Sequence, residues 1–199
     1  MSSFEQVIRG GGIVLFPSDT VYGLACDPEN PKAIERLYAL KGRPPDKAAA
    51  VMFFDLDAAL EGVSGIGERT QAAIRQLMPG PVTALLRNPD RRFPLACRAD
   101  PDTLGLRIVD VAALGKPPLA VLQSSANPAG GTDARTIGEV APALRDGVDL
   151  VIDGGELPGV ASTVVDLRDY ELGGAFRIVR QGAVDEQAVA ATLSDSGRW

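Results

Sequence analysis

Residues 13–43 read IVLFPSDTVYGLACDPENPKAIERLYALKGR, and this stretch decides the fold. Its apolar start, Ile13 to Phe16, predicts a strand. Pro17 is expected to end that strand, because proline has no N–H to donate and a fixed φ. A polar loop is expected to follow, and it carries side chains that suit a small polar ligand: Ser18, Asp19, Thr20 and Tyr22.

A helix is predicted to begin at Asn30-Pro31, because Asn caps helices and Pro is favoured in their first turn. Apolar residues then recur at helical spacing, so one face is buried: Ala33, Ile34, Leu37, Tyr38 and Leu40. The far end of the helix delivers Lys41 and Arg43. A unit with hydroxyls at one end and cations at the other suits a phosphate or a carboxylate.

The rest of the chain predicts more strands, at residues 48–54, 82–86, 104–108, 119–122, 150–152, 163–167 and 176–179. Helical segments separate only some of them, so several strands follow each other directly. This pattern favours an α/β domain with a twisted, mixed parallel and antiparallel sheet flanked by helices. Residues 1–199 show no repeat and no linker and are predicted to form a single domain, with 194–199 as a frayed tail.

Composition limits the possible functions. The 199 residues carry a formal net charge of −6 and 5% aromatic residues, which opposes nonspecific binding to nucleic acid or anionic membranes. Cys26 and Cys97 do not form a C-x-x-C motif, so a disulfide framework or a zinc site is not expected. Neither a secretory signal nor a membrane-spanning run is recognisable, and a cytoplasmic location is predicted.

Histidine is absent from the sequence. Catalysis by a histidine base and histidine-containing metal sites are therefore excluded. The chemistry must use lysine, arginine, carboxylates, hydroxyls and backbone N–H groups, and no metal site formed by the protein alone is predicted.

Several candidate residues have both a structural and a functional interpretation. Lys41, Arg43 and the nearby Lys47 could form a solvated helix end or an anion site. Arg107 lies within an apolar strand pattern, either at a sheet edge or pointing into a polar cleft with Thr103 on the same face. The small residues Ser124 to Asn127 could form an ordinary loop or allow close approach of a ligand, and Ser162 and Arg180 are equally open.

Taken in order, seven segments give the chain a strong resemblance to the YrdC/TsaC family. The resemblance runs from about residue 10 to 184, and the segments are Pro17-Ser-Asp-Thr-Val-Tyr-Gly-Leu, Lys41-Gly-Arg43, Pro79-Gly-Pro-Val-Thr83, Leu104-Gly-Leu-Arg107, Ser124-Ser-Ala-Asn127, Ala161-Ser-Thr-Val-Val-Asp166 and Arg180-Gln-Gly182. The chain is similar to the short, single-domain form, and the resemblance implies a YrdC-like fold and threonylcarbamoyl-AMP synthesis for modification of ANN-decoding tRNAs.

The resemblance also implies roles for individual residues. Residues expected to bind threonine are Thr20, Arg107 and Ser162. Residues expected to contact ATP or the adenylate are Arg43, Lys47, Thr103, Asn127 and Arg180. Lys41 and Ser125 complete the K-x-R and S-x-N tetrad of the family, and Lys41 and Arg43 are the expected catalytic cations.

Two departures from the family pattern flank this site. Ala48-Ala49 stands where the family usually has Pro-Leu, and Val109-Asp110 stands where it usually has Pro and often His. A paralogue with a different amino-acid substrate is therefore an alternative.

The implied substrates are ATP, L-threonine and bicarbonate, with Mg²⁺ carried mainly by the phosphates. Downstream tRNA-modifying transfer proteins and a weak tRNA contact are expected, and no membrane partner. The alternatives are a noncatalytic RNA-binding module, which the acidic charge disfavours, and an enzyme with another carbamoyl acceptor.

Overall fold

The computed structural model describes residues 1–194, where the chain forms one nine-stranded sheet in the order β7-β1-β2-β6-β3-β5-β4-β8-β9. The strands are β1 Val14–Pro17, β2 Tyr22–Cys26, β3 Ala50–Phe53, β4 Val82–Arg87, β5 Thr103–Ile108, β6 Val121–Ser125, β7 Leu150–Val151, β8 Thr163–Asp166 and β9 Arg177–Arg180. The pairs β1·β7, β3·β5 and β4·β8 are parallel and the others antiparallel, which confirms the predicted mixed sheet.

The described part of the chain also contains one 3-10 helix, Ile137–Glu139, and eight α-helices. The α-helices are α1 Ser3–Arg9, α2 Pro31–Lys41, α3 Leu56–Gly62, α4 Glu68–Leu77, α5 Pro94–Cys97, α6 Pro142–Asp146, α7 Tyr170–Gly173 and α8 Glu186–Ser194. Within residues 1–194, none of the helices has the length and apolar character needed to cross a membrane. Of the predicted tail, residues 195–199 lie outside the described part.

The predicted helix after the first strand is confirmed at both ends. The Asn30 side chain accepts a hydrogen bond from the N–H of Ala33 at 3.1 Å, and Pro31 occupies the first turn. Gly42 ends the helix in the left-handed conformation, with φ of 61°, which glycine adopts without steric cost. The chain can therefore reverse immediately after Lys41 and carry Arg43 back towards the sheet.

The polar loop predicted after Pro17 is much shorter than expected. Residues 18–21 turn the chain, and residues 22–26 return as β2, antiparallel to β1. β2 is buried along its whole length between β1 and β6, so it lacks the alternation of polar and apolar residues that marks a half-buried strand.

The two faces of the sheet are covered differently. Helices α2 to α8 all contribute to the larger apolar cluster on one face, whereas α1 packs on the other face through Phe4 and Ile8. The ring of Phe4 meets Phe16 and Phe54 edge to face, with centroids 5.8 and 5.6 Å away. On that second face a polar cavity opens beside the cluster under α1.

Candidate active site

The cavity has a volume of about 290 Å³ and collects residues from distant parts of the sequence. Along β5, Leu104, Leu106 and Ile108 belong to the larger apolar cluster, so Gly105 and Arg107 point to the opposite face, where the cavity lies. The predicted site residues that line it are Thr20, Arg43, Thr103, Arg107, Ser125, Ser162 and Arg180. The cleft interpretation of Arg107 is therefore confirmed.

Lys41 does not line the cavity itself: it is buried, with 3% of its surface exposed, and contacts Ser125 of the lining. Its ammonium donates to the carbonyl oxygen of Ser125 and, over 3.2 Å, to Asn127 Oδ1, which also accepts from the Ser125 hydroxyl at 2.7 Å. Burial, followed by the charge of Arg43, lowers the pKa of Lys41 to about 8. The structure thus brings the K-x-R and S-x-N segments together as one cluster.

Arg43 lies at the cavity wall with its guanidinium carbon 5.4 Å from the centre of the Tyr38 ring. It donates to the carbonyl oxygen of Ala48, while its buried Nε has no hydrogen-bond partner among the described residues. Lys47 is exposed and does not line the cavity, so its nucleotide contact stays a prediction.

Thr20 and Arg107, two of the three residues assigned to threonine, contact each other at the cavity. Arg107, 3% exposed, donates from Nη2 to Asp19 Oδ1 at 2.5 Å and to Thr20 Oγ1 at 3.4 Å. Burial lowers the pKa of Arg107, and Asp19 opposes that shift. The guanidinium thus stays charged and held in place, as recognition of a carboxylate requires.

Ser162 belongs to a chain of hydrogen bonds that crosses two strands. Its hydroxyl lies 2.8 Å from Thr83 Oγ1, and Arg180 Nη2 donates to its carbonyl oxygen at 2.7 Å. Thr103 also lines the cavity, where its hydroxyl accepts a hydrogen bond from Arg168 Nη1 at 3.1 Å.

Only one of the two departures from the family pattern reaches the cavity. Ala48 and Ala49 are part of its lining, whereas Val109 packs in the apolar cluster under α1 and Asp110 is exposed away from it. Of these two departures, only the Ala48-Ala49 pair is therefore placed to change the choice of substrate directly.

Sequence reasoning missed several residues of the site. Asp19 is expected among the side chains that suit a small polar ligand, but its ion pair with Arg107 is not, and Thr83 enters only as part of a family segment. Gln123, Asp100 and Asp133 also line the cavity and were not identified. The available signal for Gln123 was its position in β6 directly after the apolar pair Val121-Leu122.

The arrangement provides cations at two places along one cavity and acidic side chains, Asp100 and Asp133, at its wall. Described residues contain no cluster of three or more acidic, cysteine or histidine side chains that could hold a metal alone. One or two carboxylates fit a magnesium ion that is bound mainly by phosphates. The cavity can accordingly bind two anionic groups side by side.

Comparisons with known proteins identify the same family that the seven sequence segments resemble. The sequence profile of the Sua5/YciO/YrdC family, described as "Telomere recombination", matches residues 6–182. A threonylcarbamoyl-AMP synthase of Chromohalobacter salexigens is 34% identical over 173 residues, which cover 82% of this chain and 90% of that protein. A protein of the same name from Xanthomonas campestris pv. campestris is 36% identical, with coverages of 84% and 91%.

Solved structures agree with this result. P. abyssi Sua5 complexed with L-threonine aligns with a TM-score of 0.81 at 25% identity, over 95% of this chain and 56% of that one. This chain therefore spans little more than half of Sua5. E. coli YciO, at 24% identity and a TM-score of 0.77, shares the fold over 94% of this chain and 90% of its own. With a profile that matches most of its length and relatives above 30% identity, this chain belongs to the Sua5/YciO/YrdC family.

Proposed function

We propose that this chain is a threonylcarbamoyl-AMP synthase that uses L-threonine, bicarbonate and ATP. The observation that carries the proposal is the single cavity bordered by both the Lys41 cluster and the Arg107 group. The two relatives with that name described above are 34% and 36% identical. The P. abyssi Sua5 structure contains L-threonine, which supports an amino-acid site in this fold.

The reaction would have two steps. The amine of threonine combines with bicarbonate to give a carbamate and water. A carbamate oxygen then attacks the α-phosphorus of ATP, the bond to the β-phosphate oxygen breaks, and pyrophosphate leaves. Bicarbonate, the carbamate and ATP are all anionic, so catalysis depends on positioning and on charge compensation, and no protein nucleophile is needed.

In this reaction the cavity residues have two tasks, binding of threonine and compensation of the phosphate charge. The buried guanidinium of Arg107, held by Asp19, pairs with the threonine carboxylate, and the Thr20 and Ser162 hydroxyls complete that contact. Lys41, Arg43 and Arg180 offset the negative charge of the phosphates, with Ser125 and Asn127 fixing the Lys41 ammonium. Thr103 and Lys47 are assigned to the nucleotide.

Magnesium would enter with ATP, and the carboxylates available to it are Asp100 and Asp133. Bound there, the ion would neutralise phosphate charge. The product, an acid–phosphate mixed anhydride, would go to transfer proteins that modify tRNA. The weak tRNA contact and the cytoplasmic location stay predictions.

The test is pyrophosphate release in the presence of ATP, bicarbonate and each amino acid in turn, with mass spectrometry of the product. We expect threonine-dependent release and a threonylcarbamoyl adenylate. Lys41→Ala should lower kcat/KM by about 10²–10³-fold, the usual cost of one preorganised charge contact. The matched control is Lys32→Ala, which removes an exposed lysine from the same helix and should leave the rate unchanged.

Two results would contradict the proposal. Release that is indifferent to threonine, or driven by carbamoyl phosphate instead of bicarbonate and threonine, would indicate another acceptor. Salt-sensitive RNA binding without any pyrophosphate release would indicate the noncatalytic RNA-binding alternative.

A further inference from the structure

Gln123 is a cavity residue that the proposed reaction does not yet use. It lies in β6 with 7% of its surface exposed, and it lines the cavity. Its side-chain amide makes no hydrogen bond to any other residue of the described chain, 1–194. Lys41, Arg107 and Ser162, by contrast, are each fixed by protein partners.

The neighbours of Gln123 in the sheet have small side chains, so its longer side chain extends into the cavity. In the sheet register Gln123 lies between Ala25 of β2 and Ala50 of β3. The amide leans across β2, where its Nε2 is 2.9 Å from the position that a Cβ on Gly23 would occupy. Glycine at position 23 thus leaves the space in which the amide lies. β2 begins directly after Thr20 and Val21, which also line the cavity.

The chemistry of the amide restricts the ligand that it can recognise. A glutamine amide is uncharged and offers two N–H donors and one carbonyl acceptor. The carboxylate and phosphates of the substrates already have the arginines and Lys41 as partners. A hydroxyl is neutral and both donates and accepts, which matches an amide. A group that fills the cavity beside Gln123 without hydrogen bonding would leave the amide unsatisfied.

We propose that Gln123 is a specificity-determining residue that hydrogen-bonds the side-chain hydroxyl of the amino-acid substrate. This inference rests on the proposed function, because it takes threonine as that substrate. A site that hydrogen-bonds a substrate hydroxyl rejects the analogue without it far more strongly than an apolar pocket can.

The experiment compares L-threonine with L-2-aminobutyrate, which has the same carbon skeleton without the hydroxyl. kcat/KM for each amino acid is measured by pyrophosphate release at saturating ATP and bicarbonate, for the wild type and Gln123→Leu. We expect the wild type to prefer threonine by about 100-fold or more. Gln123→Leu should lower that ratio at least about 10-fold, while KM for ATP stays unchanged.

Two further variants separate specificity from folding. Gln123→Met keeps a flexible side chain of similar length and serves if the leucine variant is poorly folded. Gln6→Leu makes the same change on the exposed side of α1 and should leave the ratio unchanged.

The outcomes are distinguishable. A wild-type enzyme that turns over threonine, together with an unchanged ratio in folded Gln123→Leu or Gln123→Met, overturns this inference alone. A higher KM for ATP with an unchanged ratio overturns it in the same way. A wild-type protein without threonine-dependent release overturns the proposed function and this inference with it.

Discussion

Asp19 and Arg107, 88 residues apart in the sequence, form a buried ion pair whose Oδ1 and Nη2 atoms are 2.5 Å apart. The side chain of Arg107 is 4% exposed and that of Asp19 17%. Each also has one buried atom without a hydrogen bond among the described residues, Asp19 Oδ2 and Arg107 Nε. The pair thus holds a cation at the cavity, where we propose that the amino acid binds, at some cost in stability.

The first prediction concerns the unequal burial of the two partners. Asp19→Ala leaves the guanidinium buried and unpaired, so we expect the free energy of unfolding to fall by about 3 kcal/mol or more. Arg107→Met should cost clearly less, because the Asp19 carboxylate is more exposed and can be hydrated. Urea denaturation at neutral pH measures both. Equal losses would show that the geometry of the pair, and not the desolvated charge, determines the cost.

The second prediction concerns the hydroxyl pair of Thr83 and Ser162, whose oxygens are 2.8 Å apart. Thr83→Val keeps the shape of the side chain but leaves the Ser162 hydroxyl without this partner. We expect KM for threonine to rise about 5–10-fold, the value of one buried hydrogen bond, while KM for ATP stays near the wild-type value. Thr83→Ser restores the hydroxyl and should restore KM. An equal rise in both KM values, or no rescue by serine, would mean that position 83 acts only through packing.

The third prediction concerns Gly182, which packs directly against the backbone of Ala161 and Ser162. A Cβ on Gly182 would overlap the carbonyl oxygen of Ala161 and the backbone of Ser162, neither of which can rotate away. Gly182→Ala should therefore displace Ser162 from Arg180 and lower kcat/KM for threonine at least about 10-fold, because small displacements of positioned groups are costly.

The matched control is Gly173→Ala, because a Cβ on Gly173 meets no atom within 4 Å. This variant should keep both its activity and its melting temperature. If Gly182→Ala also keeps wild-type kinetics, the close contact of the two segments does not determine the position of Ser162.

The residues that could be predicted from the sequence are those with a local signature. The α2 boundaries follow from Asn30 and Gly42, and the mixed sheet follows from the order of apolar segments. β2 could not be predicted, because both of its neighbours are strands and its residues are all buried, so no period of two remains. The segment therefore resembles a loop with a few apolar residues.

The residues that line and support the cavity could be predicted only in part, because their contacts join distant parts of the sequence. The ordered segments identify Lys41, Arg107 and Ser162 as candidates, but nothing local indicates which distant side chains hold them. Asp19 and Thr83 reach their partners through sheet register, which a single sequence does not specify. A role for Gln123 in the cavity can be inferred only from the structure, which shows that its neighbours are Gly23, Ala25 and Ala50.

The last prediction uses the pKa of Lys41, which burial and the nearby charge of Arg43 lower to about 8. Below that pH the ammonium is charged, and above it the free protein loses the charge, so ATP affinity should fall as the pH rises through about 8. Bound phosphates favour the charged form, so ATP binding at about pH 8.5 should take up protons. Calorimetry in two buffers of different ionisation enthalpy measures this uptake, without threonine or bicarbonate, whose own ionisation would interfere. In Lys41→Arg the guanidinium stays charged throughout, and both the uptake and the alkaline loss of affinity should disappear. If they persist in that variant, another group titrates, and Lys41 does not supply the charge that the nucleotide meets.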